Sequence, residues 1–121
     1  MNKEEEYSQI AFVDWFKWQH PQFARLITLP SFGENIGGRR MNRLKSMGLT
    51  PGFPDIAIFV TNNVYPGLLI EMKSKDGKLK KHQESIHLEL IGQGYKVVTC
   101  YSWDEAKDAT TEYLKGPNKT S

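Results

Sequence analysis

Two stretches decide the fold: PGFPDIAIFV at residues 51–60 and GLLIEMKSK at 67–75. Each holds a β-prone apolar run bounded by Pro and Gly, and the link TNNVYPG between them has the Asn, Pro and Gly of a hairpin connection. Three charged residues interrupt these runs. Asp55 stands at the mouth of the first, and Glu71 and Lys73 lie inside the second. Ionised side chains rarely face a core unless they are paired or used. Alternation along a strand puts Glu71 and Lys73 on one side with Leu69. An antiparallel hairpin with Val60 opposite Leu68 sets Asp55 opposite Lys73 and Ala57 opposite Glu71, with cross-strand neighbours roughly 4.5–5.5 Å apart. A slip of one residue would carry Asp55 to the other face.

Working outward, residues 3–19 read as a helix ended by His20-Pro21, with Glu4, Glu5 and Glu6 in the first turn near the positive end of the helix dipole. ARLITLPS suggests a short strand, SFGENIGG a Gly-rich loop, and RRMNRLKSMG a short basic helix ending at Gly48. Beyond the hairpin, KSKDGKLKK leads into a helix from about Leu79 to Ile91, ended by Gly92 or Gly94. KVVTCY is a β-prone buried strand. Ser102, with Glu105 three residues on, is a capping box that opens the last helix. The expected architecture is a mixed β-sheet flanked by helices, in the order α-β-(α)-β-β-α-β-α. It forms one domain over residues 1–116, with 117–121 as a frayed tail.

At 121 residues, with 39% hydrophobic and 25% charged residues, the composition is that of a globular domain. No apolar run reaches the roughly 20 residues of a membrane helix, and MNKEEEYSQ lacks an apolar leader core. A single cysteine, Cys100, makes no internal disulfide, so a reducing, cytoplasmic setting is expected. The net charge of +2 is unevenly spread: residues 36–81 hold nine Lys/Arg against three acids, while the flanking segments are each net negative. The basic third is also the one that carries Asp55, Glu71 and Lys73. Positive field around buried acids points to a polyanionic ligand.

Two carboxylates at hairpin separation can share a hard divalent cation such as Mg2+, with Mn2+ as substitute and the Met72 carbonyl as a further ligand. Such a cation neutralises a phosphate and acidifies a bound water, and Lys73 can hold that water or stabilise developing charge. Periodicity adds two polar residues. Glu5, Gln9, Phe12 and Phe16 share one helix face, and Leu79, Gln83, Ile86 and Leu90 share another. A buried polar side chain needs a partner, and the acid pair is a common destination for both. Glu4 or Glu6 serves as well as Glu5 on composition alone, and Gln83 is equally a satisfied boundary residue. Arg39, Arg40, Arg43 and Lys45, with Lys75, Lys78, Lys80 and Lys81, are candidate phosphate contacts. His20, His82 and His87 lack metal-ligand spacing and are expected at surface or boundary positions. Trp15, Trp18 and Trp103 are expected in the core or at a dimer contact.

Pro54-Asp55 followed by Glu71-x-Lys73 resembles the PD-(D/E)xK nuclease motif. The ordered set "GFPD", "LLIEMKS", a Lys-rich link, "KHQ" opening a helix and "GYKVVTCYSWDEA" resembles the VRR-NUC (virus-type replication-repair nuclease) family over about Glu5 to Leu114, particularly its small stand-alone members from phages and bacteria. That resemblance implies a restriction-endonuclease-like α/β core and divalent-metal phosphodiester hydrolysis. It makes Asp55 and Glu71 metal ligands, Lys73 the catalytic lysine, Gln83 the helix-borne active-site glutamine and Glu5 the acid of the N-terminal helix. It further implies a homodimer acting on four-way DNA, since two cuts on a branched junction call for two sites related by a twofold axis. No small-molecule cofactor is expected. Flaps, nicks or plain duplex are the alternative substrates. A non-catalytic DNA-binding protein of the same fold is a rival class, and a partner-binding subunit of a repair complex is another.

Overall fold

The central hairpin forms, but in a register two residues removed from the one expected. In the computed structural model, which describes residues 2–30 and 38–116, strand β2 (Ile56–Ile58) pairs antiparallel with β3 (Leu68–Met72) as Ile56 with Ile70, Ala57 with Leu69 and Ile58 with Leu68. Val60 is therefore not the partner of Leu68. The ladder stops at Ile58 because, two residues on, this register would set Val60 against Pro66, which has no N–H to offer, and Val60 O accepts the Tyr113 hydroxyl instead. Carried one pair further, this register sets Asp55 opposite Glu71 instead of Lys73. An even slip preserves the faces, so the charged residues keep the same side.

Around the hairpin the sheet runs β1-β2-β3-β4. Strand β1 (Ile27–Thr28) is antiparallel to β2, and β4 (Lys96–Cys100) is parallel to β3. A parallel neighbour needs a crossover, which helix α3 (Lys81–Gly92) supplies. Helix α1 (Lys3–Gln19) precedes a short 3-10 turn (Pro21–Phe23) and β1; α2 (Gly38–Ser46) precedes β2; α4 (Trp103–Lys115) closes the chain. The loop expected over SFGENIGG, apart from Gly38, and the tail 117–121 lie outside the described residues. No helix among the described residues is long and apolar enough to cross a membrane.

Local chemistry sets the helix ends. Asn2 Oδ1 accepts the Glu5 N–H at 2.8 Å to cap α1, and Ser102 Oγ accepts the Glu105 N–H at 3.2 Å to cap α4. Helix α3 starts at Lys81, two residues later than expected, and leaves Leu79 in the preceding loop. It ends in a Schellman arrangement, with Tyr95 N–H donating to Leu90 O and Gly94 N–H to Ile91 O around Gly94 at φ 99°.

The two sheet faces differ in kind. Ile56, Ile58, Leu68, Ile70 and Met72 form one face and pack with Phe12 and Phe16 of α1 and Ala106 and Tyr113 of α4 in a single apolar core. Tyr113 ties this end down, its hydroxyl donating to Val60 O at 2.6 Å and Tyr65 O at 3.0 Å. Alternation puts Ala57, Leu69 and Glu71 on the opposite face, which α3 covers. The two fully buried residues of α3 are both polar, Gln83 and His87. Trp15 and Trp103 pack half-buried against the core, as expected of them. Trp18 does not: it is 85% exposed, because two residues past Phe16 it lies on the opposite face of the helix.

Candidate active site

Glu71 is buried at 2% exposure on β3, and its surroundings explain how a carboxylate is held there. His87 Nε2 lies 3.2 Å from Glu71 Oε1, and Gln83 Nε2 lies 3.5 Å from Oε2. Gln83 faces both ways, since its Oε1 accepts the Lys80 N–H at 2.9 Å and so satisfies the first turn of α3. One short stretch of helix therefore delivers two donors to one buried acid.

Asp55 approaches from the neighbouring strand. Its Oδ2 accepts the Met72 N–H at 2.8 Å, and its protonated form hydrogen-bonds to Glu71. Burial, then the hydrogen bond and charge of Glu71, push the Asp55 carboxyl from 3.8 up to about 8, although the Met72 N–H and the Lys73 ammonium pull the other way. A carboxyl raised by its neighbouring carboxylate marks a pair whose charges are not compensated by a cation between them. In an extended strand the residue that offers its N–H to a neighbour offers its C=O to the same side, so the Met72 carbonyl also faces the Asp55 side. Among the described residues no three His, Cys, Asp or Glu side chains are grouped to hold a metal ion. The donor set is thus two carboxylates with backbone oxygen and water. That set suits Mg2+, which keeps several waters and takes one or two carboxylates.

Lys73 follows directly on β3. Its N–H donates to Cys100 O at 2.9 Å, which extends the parallel ladder and keeps the residue in strand phase with Glu71. Its charge favours the Asp55 anion and disfavours the His87 cation, and it shares the Glu71 side of the strand. Beyond it, Ser74 N–H donates to Glu5 Oε2 at 3.0 Å. The acid of α1 that reaches this edge is therefore Glu5, while Glu4 and Glu6 are exposed. Glu5 is anchored to backbone and to Asn2 Nδ2 and does not join Asp55 and Glu71 as a third clustered acid. Gln9, on the same helix face, donates weakly to Asp55 O at 3.4 Å and leaves its own Oε1 buried and unpartnered.

The loop before Asp55 is fitted to α3. Gly52 has φ 98°, and a Cβ there would lie 3.0 Å from both the His82 carbonyl oxygen and its ring. No other residue fits this turn without movement. The basic candidates Arg39, Arg40, Arg43 and Lys45 of α2, Lys75, Lys78 and Lys80 before α3 and Lys81 at its first residue are all exposed. Arg39, Arg40 and Arg43 line one surface hollow with Leu44 and Met47.

His87 is the residue that the sequence reading misplaced. Expected at a boundary, it is 6% exposed, and burial lowers its pKa, so the neutral ring donates its Nε2–H to the carboxylate. The usable signal was its spacing: it lies four residues after Gln83, on the same helical face. His20, by contrast, stacks among Trp15, Phe16 and Phe23 with its Nε2 unpartnered, away from the acids.

A four-stranded mixed sheet flanked by helices is the α/β architecture of a restriction-endonuclease-like core. The VRR-NUC domain model matches residues 3–104, and the chain belongs to the VRR-NUC family, a family of nucleases. Among solved structures, a VRR-NUC domain protein superposes with a TM-score of 0.79 over 95% of this chain and 91% of its own, at 23% identity. That likeness is one of fold. No curated protein matches the sequence.

Proposed function

We propose that the protein is a divalent-metal-dependent DNA endonuclease, using Mg2+ with Mn2+ as substitute, selective for branched DNA and acting on four-way junctions as a homodimer. The observation that carries the metal and the chemistry is the pairing of half-buried Asp55 with buried Glu71 at the end of β3, where Glu71 helps push the Asp55 carboxyl up to about 8 and Lys73 follows on the same strand. A bound cation supplies charge neutralisation of the scissile phosphate and an acidified water. The chain's own residues do the rest. Asp55, Glu71 and the Met72 carbonyl form the oxygen donor set, and Gln83 and His87 hold the Glu71 carboxylate in place. Lys73 orients the attacking water and favours the negative charge that develops on the phosphate. Glu5, by holding Ser74, fixes the end of the strand from which Lys73 projects. The exposed bases on α2 and before α3 track phosphates. The domain spans residues 1 to 116, because α4 completes the core on which β3 rests.

Shape and backbone recognition fits the basic exterior, which offers charge for phosphates. The dimer rests on the geometry of a branched substrate, which asks for two opposed cuts. The test is cleavage of end-labelled four-way, flapped, nicked and linear duplex DNA in Mg2+, Mn2+ and EDTA, with Lys73→Ala and Glu71→Ala as controls. Metal-dependent paired cuts on the four-way substrate alone, lost in both variants, support the full proposal. Cuts on flaps, nicks or duplex replace the substrate and keep the chemistry. Binding without cuts under every metal makes the protein a DNA-binding member of its fold.

A further inference from the structure

We infer that His87 is a positioning residue for the metal centre: its Nε2–H fixes the Glu71 carboxylate in the orientation in which that group meets a divalent cation. The inference rests on the proposed metal site and adds to it a residue outside the PD-(D/E)xK set. Three observations carry it. His87 and Glu71 are both buried, at 6% and 2% exposure, and their atoms stand 3.2 Å apart, so no water competes for the contact. A carboxylate only accepts, so the histidine nitrogen facing it must carry the hydrogen. Gln83, four residues earlier on α3, is the second helix donor to Glu71, but at 3.5 Å it is the longer contact. The closer restraint on the carboxylate plane therefore comes from His87. On the same side of the sheet, Asp55, Lys73 and Glu84 are the charged groups whose influence reaches the ring.

Hydrogen bonds to a ligating carboxylate orient it, and their loss typically costs about 10–100-fold in metal affinity. The two amide side chains separate positioning from filling of space. Glutamine carries its N–H near the place of histidine Nε2, whereas asparagine carries it near the place of Nδ1, too short to reach Glu71. The experiment is Mn2+ titration of the DNA-free protein, followed by the loss of the free-ion electron paramagnetic resonance signal and by calorimetry. It compares wild type, His87→Gln, His87→Asn, His87→Phe and Glu71→Gln, with melting in EDTA as the folding control. His87→Gln is expected to bind Mn2+ within about threefold of wild type, and His87→Asn and His87→Phe to bind about tenfold or more weakly. In cleavage, the two weak variants should need more Mg2+ for half-maximal rate and recover most of the maximal rate at saturating metal. Folded His87→Asn or His87→Phe binding Mn2+ as tightly as wild type overturns the inference, as does His87→Gln binding no better than His87→Asn. Where His87→Phe does not fold, the Gln and Asn pair decides alone. Absence of saturable Mn2+ binding in wild type, matching Glu71→Gln, overturns the metal site itself and His87's role with it.

Discussion

The Asp55–Glu71 pair predicts that one conservative substitution will stabilise the metal-free protein while destroying its activity. In Asp55→Asn the amide oxygen can still accept the Met72 N–H, which Asp55 Oδ2 now takes at 2.8 Å, and the amide N–H can donate to Glu71. What disappears is an acid held at about 8 instead of 3.8. A tenfold change in a proton-binding constant corresponds to about 1.4 kcal/mol. At a pH between these values the unfolded chain has released the proton and the folded chain retains it. Folding then takes up a proton, and stability falls as pH rises from the unfolded value through the folded one. At about pH 7 the full linkage is about 4 kcal/mol against the native state. Solvent reaches part of Asp55 and screens the pair, which leaves about 1–2 kcal/mol.

In EDTA, Asp55→Asn is therefore expected to melt about 3–8 °C above wild type near neutral pH. The gap should be small at about pH 5 and widest near pH 8. Mg2+ or Mn2+ should raise the melting point of wild type, since a ligand at about 100 times its Kd adds about 2.7 kcal/mol, and should leave Asp55→Asn unmoved. Differential scanning fluorimetry or calorimetry across this pH range, with and without metal, reads all of these effects. A variant that melts below wild type in EDTA at every pH, or a gap that does not change with pH, would refute the reasoning, because the acid pair would then not be strained.

Three further substitutions probe the DNA surface, the loop and the core. Replacing Arg39, Arg40 and Arg43 together by Gln should weaken DNA binding and flatten its dependence on salt by about 0.9 in log–log slope for each phosphate that is no longer neutralised; fluorescence anisotropy over a salt series measures it, and an unchanged slope means these side chains do not touch phosphate. Gly52→Ala forces a Cβ to within 3.0 Å of His82 at φ 98° and should cost about 1–3 kcal/mol by urea melting, with no loss if the loop can lift off α3. Tyr113→Phe leaves Val60 O and Tyr65 O without the hydroxyl that reaches both and should cost about 1–3 kcal/mol, with cleavage at saturating metal unchanged because the residue lies on the far face of β3.

Periodicity and caps made helices α1 to α4 and the four strands legible in the sequence, because those signals are local: Ser102, Gly94 and the His20-Pro21 stop all act within a few residues of themselves. Register was not legible. The ladder stops short of Val60, whose carbonyl accepts the hydroxyl of Tyr113, 53 residues later in the chain, and no local pattern announces that bond. The two-residue slip left Asp55, Glu71 and Lys73 on one side because strand faces repeat every second residue, so the cluster was identified even though its cross-strand partners were misassigned. The choice of Glu5 among three consecutive acids likewise waits on the position of Ser74, which only the folded chain supplies. His87 was missed for a different reason: a lone histidine in a helix carries no metal-ligand spacing, and its meaning appears only when Glu71 is found facing it.

A strained acid pair persists only if the surrounding structure leaves it no way to relax, and every segment touching this pair is tied. The loop before Asp55 is seated on α3 through Gly52, and the Asp55 carbonyl is met by Gln9. Its carboxylate is held by Met72 N–H, and the end of β3 is held by Glu5 through Ser74. Glu71 is gripped from the other side by His87 and Gln83. Rotating either acid away would break at least one of these bonds inside a buried region, at about 1–3 kcal/mol for each group left unpaired. The strain therefore stays in the charges instead of dissipating in geometry. In the metal-free chain the raised Asp55 carboxyl keeps its proton up to about pH 8; on the proposed reading a divalent cation offsets the strain better, and the same contacts that keep the acids together have already placed the donors it needs.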